Sequence, residues 1–100
     1  MKQPKFKITN RAISDLNDIW NYTYETWSPK QADRYYKLLI DEFNFLAANP
    51  NVGKSVDYIK SGYRMSVVKS HLVFYRNSGI TIEVVRVLHQ RMDIERQINE

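Results

Sequence analysis

Arg64, Arg76, Arg86, His89 and Arg91 are the residues of this chain whose types best suit chemistry. Guanidinium groups hold phosphate and offset a developing negative charge, and an imidazole moves a proton near neutral pH. Such a set can cleave RNA without a metal. The same side chains also serve as plain surface charge, paired with Glu83, Asp93 or Glu95 or simply solvated. Arg86 stands apart because it lies in an otherwise apolar run, where a charge needs a partner or an opening. Nucleophilic catalysis has less support. There is no Cys and no Gly-x-Ser-x-Gly turn. Ser70 and His71 are adjacent, so on a strand they point to opposite faces. The three glycines are scattered and form no phosphate-cradling loop. Asp41 and Glu42 sit side by side on a helix, which reads as a solvated face. The two histidines, His71 and His89, are too few for zinc without carboxylates. No metal site and no cofactor is expected.

The elements that position these residues centre on Thr81 to Leu88, Thr-Ile-Glu-Val-Val-Arg-Val-Leu. Its β-branched density predicts a strand. Strict alternation places Ile82, Val84 and Leu88 on one face and Val85 and Val87 on the other. A strand apolar on both faces is expected inside its sheet, covered on both sides. Its end delivers His89-Gln90-Arg91-Met92-Asp93 into a loop. Before it come Tyr63–Val68, a Lys69-Ser70 turn, His71–Arg76, and an Asn77-Ser78-Gly79 turn, with the last strand starting at Ile80. Tight turns predict an antiparallel meander.

The N-terminal half reads as helices. Lys5–Thr9 alternates as a short strand with Phe6 and Ile8 inward, and Thr9 or Asn10 can cap the helix after it. From Arg11 to Trp27 the stripe is Ala12, Leu16, Ile19, Trp20, Thr23 and Trp27. Asp15 and Asp18 lie near its start, where the helix dipole favours negative charge. Its aromatic load suits core packing with a polar rim, or the edge of a partner groove. Ser28-Pro29-Lys30-Gln31 reads as an N-cap, a first-position proline and a capping box. A second stripe, Ala32, Tyr35, Tyr36, Leu39, Phe43, Leu46 and Ala47, runs to Asn49-Pro50. So short a link predicts an antiparallel helical hairpin. Asn51 to Gly62 is a loop, packed through Val56, Tyr58 and Ile59. Asp93 caps a short terminal helix with Ile94 and Ile98 on one face. The expected architecture is α+β: a short N-terminal strand and an antiparallel helical hairpin on a three- to four-stranded antiparallel sheet, with a short C-terminal helix.

One hundred residues make one domain, 1–100, with a globular composition: 43% hydrophobic and 13% aromatic. The net charge is +4, and it is uneven. Residues 1–53 carry seven Lys/Arg against six Asp/Glu, and residues 54–100 carry eight against five. A basic half suits an acidic partner, although this excess is also common on soluble surfaces. Zero Cys and a Met1–Lys5 start with no apolar segment behind it fit a cytoplasmic protein. No apolar run approaches the ~20 residues of a membrane-spanning helix.

Several marks then recur in a recognisable order: Ala12-x-x-Asp15-Leu16-x-x-Ile19-Trp20-x-Tyr22-Thr23, Trp27-Ser28-x-x-Gln31-Ala32-x-x-Tyr35, Asn49-Pro50-x-x-Gly53, Gly62-Tyr63-Arg64, His71-Leu72-Val73-Phe74-Tyr75-Arg76, and Ile82-x-Val84-Val85-Arg86-Val87-Leu88-His89-x-Arg91-Met92-Asp93. Over nearly its whole length the chain resembles the ParE toxins of the RelE/ParE superfamily of bacterial type II toxin–antitoxin pairs. The resemblance implies a growth inhibitor that poisons DNA gyrase without being an enzyme. It also implies neutralisation by a cognate ParD-like antitoxin in a hetero-oligomer. On that basis His89, Arg91 and Met92 are expected at the target-contacting end, and Trp20, Tyr24, Trp27 and Arg76 toward the antitoxin. RelE-like relatives instead cut mRNA on the ribosome, with an Arg in the middle strand, a basic residue after the last strand and often a late Tyr. The corresponding positions here are Leu72, Arg91 and about Gln97. A nuclease would draw on Arg64, Arg76, Arg86, His89 or Arg91. A third reading is a non-toxic module that only pairs with an antitoxin-like protein.

Overall fold

The computed structural model describes residues 6–100. Lys5, the first residue of the expected N-terminal strand, lies outside them. The elements run β1 (Phe6–Ile8), α1 (Asn10–Thr26), α2 (Pro29–Ala48), β2 (Lys54–Ser55), β3 (Tyr63–Val68), β4 (His71–Asn77), β5 (Ile82–His89) and α3 (Ile94–Asn99).

Local sequence chemistry sets the helix starts. The Thr9 hydroxyl accepts the Ala12 N–H at 3.1 Å and donates to Val85 O at 2.9 Å, so one side chain caps α1 and ties it to β5. Ser28 caps α2 by accepting the Gln31 N–H at 3.1 Å, with Pro29 in the first turn. Asp93 caps α3 by accepting the Arg96 N–H at 3.3 Å. Each cap satisfies a donor that the helix itself leaves unpaired.

The α+β reading holds: two helices lie on a sheet, followed by a short C-terminal helix. The sheet is larger than expected, with five strands in the order β1-β5-β4-β3-β2. The meander β3–β4–β5 is antiparallel, as the turns require, but β1 joins β5 in parallel, Phe6 opposite Ile82 and Ile8 opposite Val84. A parallel pair needs a long crossover, and the helical hairpin supplies it. β2 lies in the stretch read as loop and pairs only Lys54 with Met65 and Ser55 with Arg64. β5 lies between β1 and β4, which is the interior position its apolar faces predict. It starts at Ile82 rather than Ile80, and Ile80 projects fully exposed from the preceding turn.

The core has two layers, one on each face of the sheet. The helical hairpin covers one face with Ala12, Leu16, Leu39, Phe43 and Leu46 against Val68, Val73, Tyr75, Ile82, Val84 and Val87. Val56, Ile59 and the α3 residues Ile94 and Ile98 cover the other, against Phe74, Val85 and Leu88. Tyr58, expected to pack, is exposed. A β-bulge sits between Phe74 and Tyr75: Arg86 opposes Phe74, Val84 opposes Tyr75, and Val85 is the extra residue. The bulge shifts the alternation by one position. Val87, not Leu88, therefore shares the hairpin face with Ile82 and Val84, which corrects the strict-alternation reading. His89 follows Val87 onto that same face.

Candidate functional site

The β3–β4 turn and the end of β5 meet the linked end of the helical hairpin in a groove of about 750 Å³. Ile19, Tyr22 and Trp27 line it from the α1 side, Tyr35 from α2, His71 and Lys69 from the hairpin turn, and His89 and Met92 from the end of the last strand. Trp27 (72% exposed) and Met92 (47% exposed) stand at its mouth. Lys69 turns the chain with φ 55°, a left-handed value at the position where a type II′ hairpin turn favours Gly.

The groove floor is a contact chain. The Tyr35 hydroxyl lies 2.7 Å from His71 Nδ1 and donates to Val68 O at 3.1 Å. His71 pairs with His89 at the end of the β4–β5 ladder. Their rings meet edge to face, with centroids 5.3 Å apart and planes at 85°. His89 Nδ1 accepts the Arg91 N–H at 3.1 Å, Ser70 O accepts the Gln90 N–H at 2.9 Å, and His89 O accepts the Met92 N–H at 3.0 Å. Burial raises the Tyr35 phenol above its ordinary value, so it stays a neutral hydrogen-bonding group. Burial, and secondarily the neighbouring His89, lowers His71 to about 4, so its ring is uncharged at neutral pH.

That shift gives a pH prediction. The folded value of about 4 lies below the unfolded value of 6.5, so the unfolded chain takes up the proton first. The contribution of His71 to stability is complete above the unfolded value and is lost as pH falls through the folded one. Urea unfolding should show wild type losing stability relative to His71→Asn between those two values. A difference that does not change with pH would refute this.

The basic set splits up. Arg86 is not paired with Glu83, Asp93 or Glu95 but grips Asp15 on α1, at 2.8 Å and 3.0 Å, and donates to Gln97 O at 3.0 Å. Asp15 lies beyond the first turn of α1, so its role is this pair and not the helix dipole. Arg64 donates to Gly53 O at 2.6 Å and Asn51 O at 3.2 Å, fastening the loop after α2. Arg76 pairs with Glu83 at 2.9 Å, far along β4 from His71. Among the target-contact candidates, His89 and Met92 line the groove, and Arg91 is exposed beside them. Of the antitoxin candidates, Trp27 belongs to the groove. Trp20 stacks on Tyr24 at 5.1 Å and donates to Asp33 at 3.2 Å, in a separate shallow cleft with Asn17, Asn21 and Tyr36. Among the described residues, no group of three His, Cys, Asp or Glu converges to hold a metal.

Tyr35 and His71 are the site residues that the sequence reading missed. Tyr35 reads as one more position in a helical stripe, and His71 as an isolated strand residue. One signal was available: folding β4 back on β5 about Ile80 brings position 71 opposite 89.

This architecture recurs in another protein. A solved chain described as the chromosomal ParDE TA system from P. aeruginosa shares it, with a TM-score of 0.73 and 21% identity over 87% of this chain and 96% of that one. Residues 6–94 match the family model described as the ParE toxin of type II toxin–antitoxin system, parDE. Toxin ParE1 of Mycobacterium tuberculosis (strain ATCC 25618 / H37Rv) is 42% identical over 95 residues, 94% of this chain and 97% of that protein. Toxin ParE1 of Caulobacter vibrioides is 38% identical over 88 residues, covering 88% and 91%. The chain belongs to the ParE toxin family of type II toxin–antitoxin systems.

Proposed function

We propose that the chain arrests growth by binding DNA gyrase, without itself catalysing a reaction, and that a ParD-like antitoxin neutralises it. The family match over residues 6–94 carries this reading. The fate of the cations supports it: Arg64, Arg76 and Arg86 are each engaged in holding other elements of the fold, on three separate parts of it. The middle-strand position that holds Arg in RelE-like toxins is Leu72, which packs against the apolar layer under α3. His89, Arg91 and Met92 are the proposed target contacts. Purified protein should inhibit gyrase supercoiling and accumulate cleaved gyrase–DNA complex. Arg91→Ala should weaken that inhibition by about tenfold with unchanged thermal stability, since the side chain is exposed. No inhibition at large molar excess, with cleaved transcripts in a translating extract, would establish the endonuclease instead.

The proposed antitoxin contacts are Trp27 at the groove, Trp20 and Tyr24 on the outer face of α1, and Arg76 at the sheet end. The net charge of +4 suits an acidic antitoxin segment. Toxin–antitoxin affinity should fall by about tenfold from low to high salt. Titration calorimetry giving the same affinity throughout would remove the electrostatic contribution.

A further inference from the structure

We infer that Tyr35 and His71 are positioning residues for the His89–Met92 loop, acting through the His89 ring on the Arg91 amide. The inference rests on reading that loop as the target-contacting end. The β4–β5 ladder stops at the His71–His89 pair. Past it, the Ser70 O–Gln90 N bond is the link back to the hairpin turn, and the Arg91 N–H is held by a side chain, His89 Nδ1. The orientation of Arg91 therefore depends on how the His89 ring is set.

Three links set that ring. The Tyr35 hydroxyl is anchored on Val68 O, so its position relative to the β3–β4 turn is fixed. With the hydroxyl hydrogen directed to Val68 O, the Tyr35 oxygen accepts Nδ1–H of His71, and this bond fixes the His71 ring plane. The His71 ring meets the His89 ring edge to face, which is the favoured arrangement of two aromatic groups and resists rotation about the His89 side-chain torsions. Nδ1 of His89 must be unprotonated to accept from Arg91, so its hydrogen is on Nε2. A helix residue far from the loop in sequence thus sets a backbone amide at the surface.

Tyr35 also packs at the edge of the hairpin-side core, and Tyr35→Phe separates that packing from the aiming because it keeps the ring and removes the hydroxyl. His71→Asn is the complementary variant: its amide N–H can still reach Tyr35, but no ring remains to meet His89. Both should leave the melting temperature within about 5 °C of wild type, the range of a single modest hydrogen bond in a domain of this size. In both, hydrogen exchange at the Arg91 amide should quicken by about tenfold while the α1 and α2 core amides stay unchanged, and about tenfold more toxin should be needed for half-inhibition of gyrase. Unchanged exchange at Arg91 in either variant would overturn the inference. So would faster exchange with undiminished gyrase inhibition, because the loop's order would then not matter to the target. If wild type itself leaves gyrase active, the target reading fails, and the exchange measurement alone decides whether Tyr35 and His71 position the loop.

Discussion

Gly53→Ala is expected to lower the unfolding free energy by about 2–4 kcal/mol, the range of a buried overpacking clash combined with a lost hydrogen bond. The reason is a close approach, not an unusual backbone angle. A Cβ on Gly53 would lie 2.3 Å from the Tyr75 hydroxyl oxygen, 2.7 Å from Cε1 and 2.9 Å from Cζ. Tyr75 cannot swing aside, because it is fully buried in the layer under the helical hairpin. Its hydroxyl donates to Pro50 O at 3.0 Å and accepts the Gly53 N–H at 2.9 Å, so the ring stitches the chain leaving α2 onto β4. Arg64 holds the same turn from the other side through Gly53 O and Asn51 O. For a domain of this length the cost corresponds to a melting temperature lower by roughly 10–25 °C. Tyr75→Phe removes the hydroxyl and leaves two backbone groups without it, at about 1–3 kcal/mol. In the double variant the closest clash is gone, so the two losses should add to less than their sum. Gly53→Ala unfolding in urea within about 0.5 kcal/mol of wild type would mean that the loop after α2 yields freely and that Tyr75 does not fasten it.

The elements legible in the sequence are those whose signals are local. Thr9, Ser28 and Asp93 announce helix starts through their own side chains, and the helical stripes give both α1 and α2. The apolar double face of β5 gives its interior position. The features that failed to show depend on partners distant in the chain. The parallel pairing of β1 with β5 is decided by the crossover, not by anything in Phe6–Ile8. β2 is two residues long and exposed, too short for any alternation to register. The bulge at Val85 has no residue signature, since a β-branched apolar side chain suits either face of a covered strand. Yet this bulge decides the candidate site. With strict alternation His89 lies on the opposite face from Ile82 and Val84; with the bulge it enters the groove beside His71. The sequence reading could therefore single out His89 but not the partners that hold it.

Asp15→Ala is expected to cost about 3 kcal/mol, the lower end of the range for breaking one side of a buried ion pair, since this pair is largely but not fully buried. Asp15 and Arg86 are 13% and 11% exposed at the side chain, and the carboxylate meets the guanidinium twice, in the forked geometry that makes such pairs strong. The same carboxylate accepts the Val87 N–H at 2.9 Å. That third bond arises from the shortness of β1. Pairing with β5 ends at Val84, Thr9 continues it to Val84 O and Val85 O, and Asp15 takes the next free edge donor. A carboxylate from α1 thus does the work of a strand residue that β1 lacks. Without it, Arg86 keeps Gln97 O and only the weaker, unbonded attraction of Glu100, and the Val87 N–H is left unpaired beside the core. Removing both charges removes the uncompensated one, so Asp15→Ala combined with Arg86→Met should recover a good part of the loss, giving a coupling of about 1.5 kcal/mol or more. The change should also reach the groove. Ile19 and Tyr22 line it from the next turns of α1, and α1 is held to β5 just below them by this pair. Exchange at the Arg91 amide should therefore quicken in Asp15→Ala as well, with a drop in melting temperature that Tyr35→Phe does not show. If Asp15→Ala instead unfolds within about 1 kcal/mol of wild type, the junction of α1 with β5 is held by Ala12 and Leu16 packing and the Thr9 bonds, and the Arg86–Asp15 pair adds little to it.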